Sequence, residues 1–365
     1  MPSRRAFIAG LVAAAGSPAL SWADAGAPSY LAAAREADET FALFGLDAAG
    51  HDLFRVPLPG RGHAAAAHPD APEAVFFARR PGRFALVIDC ARGREIRRLR
   101  PPEGRHFYGH GAFLAGGDIL ATSENHIDSG EGRIGLWSRS EGYARIGEIA
   151  SGGIGPHEIR AVSDDLLVVA NGGIRTHPDS GREKLNLETM SPSLVYLSMS
   201  GRIEEEVALD PALHLNSIRH LAVAPDGQVA FAMQWQGAPS DGVPLLGLHR
   251  RGGPPVLAEA GLAEQIALEG YAGSVAVSGD GRTVAFTAPR GGRLHVFDAA
   301  GRFLAAHRRA DICGVAPGTA LSAAGFLATD GLGGVMAADT DGLRPRAAPD
   351  RAWDNHLVRV GQAAA

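Results

Sequence analysis

Five histidines stand at one register of a repeated unit: His63, His110, His157, His220 and His356. The steps from His63 to His110 and from His110 to His157 are the same 47 residues. In two further units the aligned positions hold Ser274 and Cys313, small residues that can also serve a metal or a hydrogen-bond partner. Neutral imidazole is a transition-metal ligand suited to copper, zinc, iron and nickel. Imidazoles crowded onto one circle depress one another's pKa and so stay unprotonated and ready to bind a cation. A metal site is the leading expectation. A water-filled polar channel and an organic-anion site remain open beside it.

The elements that would bring these positions together follow from the repeat itself. "RGHAAAAHPDAPEAVFFARRPGRFALVIDCARG" begins at Arg61, "YGHGAFLAGGDILATSENH" at Tyr108 and "GPHEIRAVSDDLLVVANGG" at Gly155. "IRHLAVAPDGQVAFAMQWQG" begins at Ile218, "AGSVAVSGDGRTVAFTAPRGGRLHVFDAAG" at Ala272 and "ICGVAPGTALSAAGFLATDG" at Ile312. Each unit reads as a short apolar strand, a turn, a second apolar strand, a variable loop and two more strands. Four strands in roughly 40–50 residues is the length of a propeller blade. The spacing predicts an all-β, seven-bladed β-propeller of the YVTN/WD40-like kind. Its last blade is split: Trp353 to Val360 supplies an inner strand, and Thr40 to Leu58 supplies outer strands. Such a split closes the ring without an exposed edge. A single domain is expected over 26–365. In this fold the first strand of each blade lines the axis, so equivalent positions must converge.

The loops between second and third strands should open onto the same mouth. "TSENHIDSGEG" carries Glu124, Asn125 and His126. "ANGGIRTHPDSGREKLNLETMSPS" carries Asn171, Arg175, His177, Arg182, Lys184 and Asn186, and "QWQGAPSDG" carries Gln234. Long polar loops on one rim are usually binding loops. Glu124, Asn125, His126, Asn171, Arg175, His177, Arg219 and Gln234 are therefore the expected contacts to a substrate or partner. Glu158, next to His157, is expected between blades, paired with Arg160 or Arg219 and holding an imidazole.

The remaining composition narrows the function. The chain has 365 residues, 45% hydrophobic, with 48 glycines and 23 prolines, which suits many short strands and tight turns. A net charge of −5 gives no electrostatic footprint for nucleic acid. The zinc-protease, P-loop, nucleophile-elbow and c-type haem motifs are absent. Cys90 and Cys313 are too far apart in sequence to make a disulfide framework. "SRRAFIAGLVAAAGSPALSWADA" resembles a twin-arginine export signal over residues 1–25, too short in its apolar run to span a bilayer well, which takes about 20 residues. A periplasmic location without a membrane span in the mature chain is the expectation.

The motifs "YGHGAF", "GIGPHEIR", "VVANGGIRTHPDSGREKLNLETMSPSLVYL" and "NSIRHLAV" resemble those of an uncharacterised bacterial family of exported seven-bladed propellers. That resemblance covers nearly the whole mature chain. It implies a setting beside imelysin-type iron-uptake lipoproteins and di-haem peroxidase-like proteins, with periplasmic iron-uptake proteins as partners. A second likeness is architectural only: nitrous oxide reductase also gathers histidines on a propeller axis, but its cysteine-containing copper domain has no counterpart here. The resulting expectation is a propeller holding copper or iron, with zinc as an alternative, in metal uptake or handling. The alternatives are a metal-dependent redox enzyme and a non-catalytic interaction scaffold.

Overall fold

The computed structural model describes residues 19–79, 83–181, 183–319 and 323–361. These form seven four-stranded antiparallel sheets. In chain order, blades 1 to 6 cover residues 62–99, 105–154, 156–208, 216–258, 274–308 and 312–347. Blade 7 is the split one: Arg351–Arg359 is its inner strand, and Tyr30–Glu36, Phe41–Leu46 and Asp52–Leu58 complete it. The expected propeller is therefore present, with one addition. Tyr30–Glu36, "YLAAARE", is the strand that pairs directly with the C-terminal strand, and the strands of 40–58 lie outside it.

The apolar strand pattern follows from how blades stack. Second and third strands are covered on both faces by neighbouring blades, so Ala85–Asp89 and Leu194–Leu197 are buried throughout, while the outermost Arg94–Leu99 is exposed except at its end. The core is not one mass but seven wedges, each between two adjacent blades. Closure of the ring is reinforced by side chains. Trp353 meets Phe44 edge-on at 5.7 Å and donates its Nε1–H to Gly333 O at 3.2 Å. Arg351 pairs with Asp52 at 2.7 Å and lies over the Phe44 ring.

Most of the expected targeting segment, residues 1–18 within 1–25, lies outside the described residues, as does Arg182. Its last part, Trp22–Ala25, forms a 3-10 turn, and Trp22 packs in the wedge between blades 7 and 1 with its Nε1–H on His68 O at 2.9 Å. No helix among the described residues is long and apolar enough to cross a membrane. Both cysteines are buried and free, Cys90 in that same wedge and Cys313 between blades 6 and 7.

Candidate metal centre

Six of the seven inner strands break register where they pass the axis. The irregularity takes in His63 in blade 1, residues 108–110 in blade 2, His157 in blade 3 and Arg219 beside His220 in blade 4. It takes in Cys313 in blade 6 and residues 354–356 in blade 7. A bulge lifts residues out of the ladder and re-aims their side chains. Carbonyls freed in this way find hydroxyls from the second strands. Ser123 Oγ donates to His110 O at 3.1 Å and lies 3.4 Å from His157 O, and Thr287 Oγ1 donates to Cys313 O at 2.6 Å.

The bulge in blade 2 explains a histidine placed between two glycines. Gly109 has φ +96°, and a Cβ there would lie 2.5 Å from His63 Cδ2. At Gly111 a Cβ would strike the Phe77 ring at 2.4 Å and Ala121 O at 2.8 Å. Glycine at both places lets His110 enter the axis while the His63 ring packs against the backbone at Gly109.

All five histidines converge. Ring centroids of His63 and His110 are 4.7 Å apart, of His157 and His220 4.8 Å, and His356 stands 4.9 Å from both His110 and His220. Nε2 of His110 and Nε2 of His63 face each other at 3.1 Å. Ligand nitrogens of His63, His110 and His157 lie within 4.8 Å of one another, as do those of His110, His220 and His356. Four of the rings are buried, and His63 is partly so. Nδ1 of His157 and Nε2 of His356 are buried with no hydrogen-bond partner among the described residues.

The electrostatics disfavour charge on three of the five rings, His110, His157 and His356. Burial, then the neighbouring histidines His63, His157, His356 and His220, hold His110 well below the ordinary imidazole value. Burial also lowers His157, helped by His220 and Arg219, and takes His356 down to about 3. Among the described residues, Glu158 is the carboxylate in contact with the ring, at 3.2 Å from His220 and 4.0 Å from His110. Burial works to raise its carboxyl, but Arg160 and the hydrogen bond from His220 outweigh that and bring it to about 2. Its Oε1 pairs with Arg160 at 2.6 Å, and its Oε2 accepts from Leu221 N–H and from His220 Nδ1, each at 3.2 Å. A carboxylate only accepts, so His220 carries a proton on Nδ1, and Nε2 is the nitrogen left for a cation. The carboxylate–imidazole arrangement is the one that orients metal-binding histidines. Glu158 sits as the sequence suggested.

Other expected site residues divide. Ser274 borders a void of about 20 Å³ beneath the ring, together with His110, His356 and Glu158. Cys313 does not reach the ring: its Sγ lies 3.5–3.7 Å from the carbonyls of Thr329, Trp353 and Asp354 between blades. Glu124 is not a rim residue. It is fully buried in blade 2 and held by both arms of Arg145 at 2.8 and 3.0 Å, because the strand Ile119–His126 continues through it. Asn125 and Asn171 are buried as well, and Asn171 is tied to Ser151 at 2.8 and 3.0 Å. His126 caps its own turn by accepting from Ser129 N–H. Arg175 and His177 lie on the rim. Arg175 reaches Asp128 O at 2.6 Å, and His177 accepts from Asp179 N–H at 3.2 Å. Arg219 and Gln234 line a cavity of about 510 Å³ that opens above the ring, with His63, His157 and His220 at its base. Arg61, Arg79, Arg290 and Tyr271 join them there, from loops that no local motif marks.

A family model described as "Protein of unknown function (DUF1513)" matches residues 56–360. The chain belongs to that family. The matched span holds all five ring histidines and Glu158. Among curated proteins none matches the chain in sequence. Among solved structures, Kuenenia stuttgartiensis hydrazine synthase is similar at a TM-score of 0.61 and 12% identity, over 82% of this chain and 89% of that one. At that identity the likeness is one of fold.

Proposed function

We propose that the family member described here is an exported metal-binding propeller whose axial ring, His63, His110, His157, His220 and His356, holds a copper or iron ion, with zinc suited to the same donors. The observation that carries this is the convergent imidazole cluster, four of its rings buried, with nitrogens of His157 and His356 that no described residue partners. Buried polar nitrogens are normally satisfied, so a cluster that leaves two orphaned is built for a further partner. Water in a polar channel would satisfy single nitrogens. It would not call for Glu158 to fix an imidazole tautomer from behind, which is what a metal-ligating histidine requires.

The N-terminal "SRRAFI" supports export by the twin-arginine route, and the family resemblance supports a role in iron uptake or handling alongside periplasmic partners. Elemental analysis of protein purified without an affinity tag, from cells grown with copper, iron and zinc, tests the metal. About one ion per chain is the expected result. Less than a tenth of an ion per chain, with none taken up on reconstitution, would overturn it.

A further inference from the structure

The cavity above the ring is cationic in a protein that is acidic overall. Arg61, Arg79, Lys184, Arg219 and Arg290 line it, and they come from blades 1, 4 and 5 and the long loop of blade 3. Against these five basic side chains stand, among the described residues, two carboxylates, Asp311 in the lining and Asp354 behind it. Arg61 and Arg79 share Asp354 at 2.9 and 3.6 Å. That leaves an excess of positive charge in one concavity while the chain carries −5. Burial, with Arg219 and Arg290 close by, pulls Lys184 below its ordinary value. Arg290 lies over the Tyr271 ring at 4.5 Å, which holds its guanidinium plane against the wall.

A field of this sign repels a bare metal cation and concentrates anions. Guanidinium groups bind carboxylates through paired N–H donors. A cavity of about 510 Å³ has the size of a small-molecule site. Its floor is His63, His157 and His220, so a ligand seated in it touches the face of the ring that the imidazoles leave open.

We infer that this funnel binds a small organic polycarboxylate directly above the histidine ring, and that the ring metal and the carboxylate occupy the molecule together as ion and co-ligand. The second half rests on the proposed metal site; the first half stands on the funnel alone. A neutral funnel would leave a bound cation to exchange with the bulk. The cationic one excludes free cations and admits the metal's anionic partner.

The probe is tricarballylate, a tricarboxylate that chelates metals weakly, titrated calorimetrically into metal-free and metal-loaded full-length protein. Binding to both forms is expected, tighter to the loaded one, and weaker as salt rises because the attraction is screened. Lys184→Gln with Arg290→Gln is expected to lower the affinity by about tenfold or more, the loss that follows from removing charge-assisted hydrogen bonds. Lys184→Arg with Arg290→Lys keeps the charge and is expected to keep the binding, which separates charge from packing. Undiminished binding in the glutamine pair overturns the inference, as does binding of inorganic phosphate with none of tricarballylate. No tricarballylate binding by a protein that retains its metal also overturns it and leaves the metal site standing. Tricarballylate binding by a protein that takes up no metal overturns the metal reading and leaves the anion site.

Discussion

Blades 7, 1, 2, 3 and 4 each send an imidazole to the axis, while blades 5 and 6 hold Ser274 and Cys313 at the same register. The five donors thus form one continuous arc, not a full circle. The two silent blades fail for different reasons. Blade 5 pairs without a register shift, Ser274 opposite Thr287, so nothing lifts its side chain out of the sheet. Blade 6 does bulge, but Cys313 turns its sulfur back onto three carbonyls of its own neighbourhood. Placing a donor at the right register is therefore insufficient. The backbone must bulge, and the side chain must find less to bond beside it than on the axis.

Stripping donors from the arc and, separately, altering the silent blades separates what each contributes. Replacing His110 and His157 together with Ala removes the one histidine shared by both ligand-atom groups and a second member of the first. Metal content after dialysis at neutral pH is expected to fall below about a tenth of wild type, since loss even of an outer-shell partner costs about 10–100-fold. Ser274→Ala is expected to change it by less than about twofold, because Ser274 contacts the small void and not the ligand nitrogens. Equal metal content in wild type and the double variant would reduce the arc to structure.

Acid should act on the arc and spare the silent blades. In the unfolded chain a histidine titrates near 6.5. In the fold, His110 and His157 lie well below that and His356 is at about 3. Between those values the unfolded state binds protons that the folded state refuses, so stability falls as pH drops from about 6.5 toward 3 and is level above 7. Glu158, at about 2 in the fold, adds its own loss only below the ordinary carboxyl range. The metal-free protein should melt at a falling temperature between pH 7 and 5, and the double alanine variant should show a flatter slope. Metal, which competes only with protons the ring resists, should stay bound below pH 6.5. A melting temperature constant from pH 7 to 5 would contradict the neutral ring.

Much of this contrast was legible in the residues. The recurrence of a turn, an apolar strand and a histidine at fixed spacing gave the blades and the arc, because propeller geometry forces equivalent inner positions together. Three things were not legible. Tyr30–Glu36 is rich in alanine and ends in charge, so it lacks the β-branched pattern that marks a strand. Glu124 looks like a loop carboxylate until Arg145, a residue of another strand, is seen to hold it. The funnel cations Arg61 and Arg79 stand at one end of blade 1 and Arg290 in blade 5, and their meeting depends on the closed ring and on no local spacing. Register alone also promoted Cys313, whose sulfur is decided by neighbours in blade 7.

Glu158 tests how far the arc is organised from behind. Glu158→Gln keeps the shape but offers His220 an amide in place of a carboxylate, so the preference for Nδ1–H weakens. It also leaves Arg160 without its partner at 2.6 Å. Metal affinity is expected to fall by about 10–100-fold, as for other outer-shell partners. Folding is expected to survive, since Arg160 is partly exposed and can turn to water. An unchanged affinity, measured by competition with a chelator of known strength, would show that His220 is oriented by packing alone.

Cys313 carries the smallest expected effect and the cleanest control for the silent blades. Its thiol is fully enclosed, and burial raises its pKa far above the ordinary thiol value, so it stays protonated at any pH the fold tolerates. Its sulfur is turned onto carbonyls between the blades and away from the axis, and a protonated thiol is a poor nucleophile. Cys313→Ser should keep metal content within about a tenth of wild type, while stability drops by about 1 kcal/mol, the common size of a tolerated core change. Cys90 is pushed up to about 12 by the same enclosure. A disulfide reagent such as DTNB should therefore find no reactive thiol in the native protein and both after unfolding. Rapid labelling of Cys313 in the native protein, slowed by added metal, would place its sulfur on the axis and make the arc six-membered.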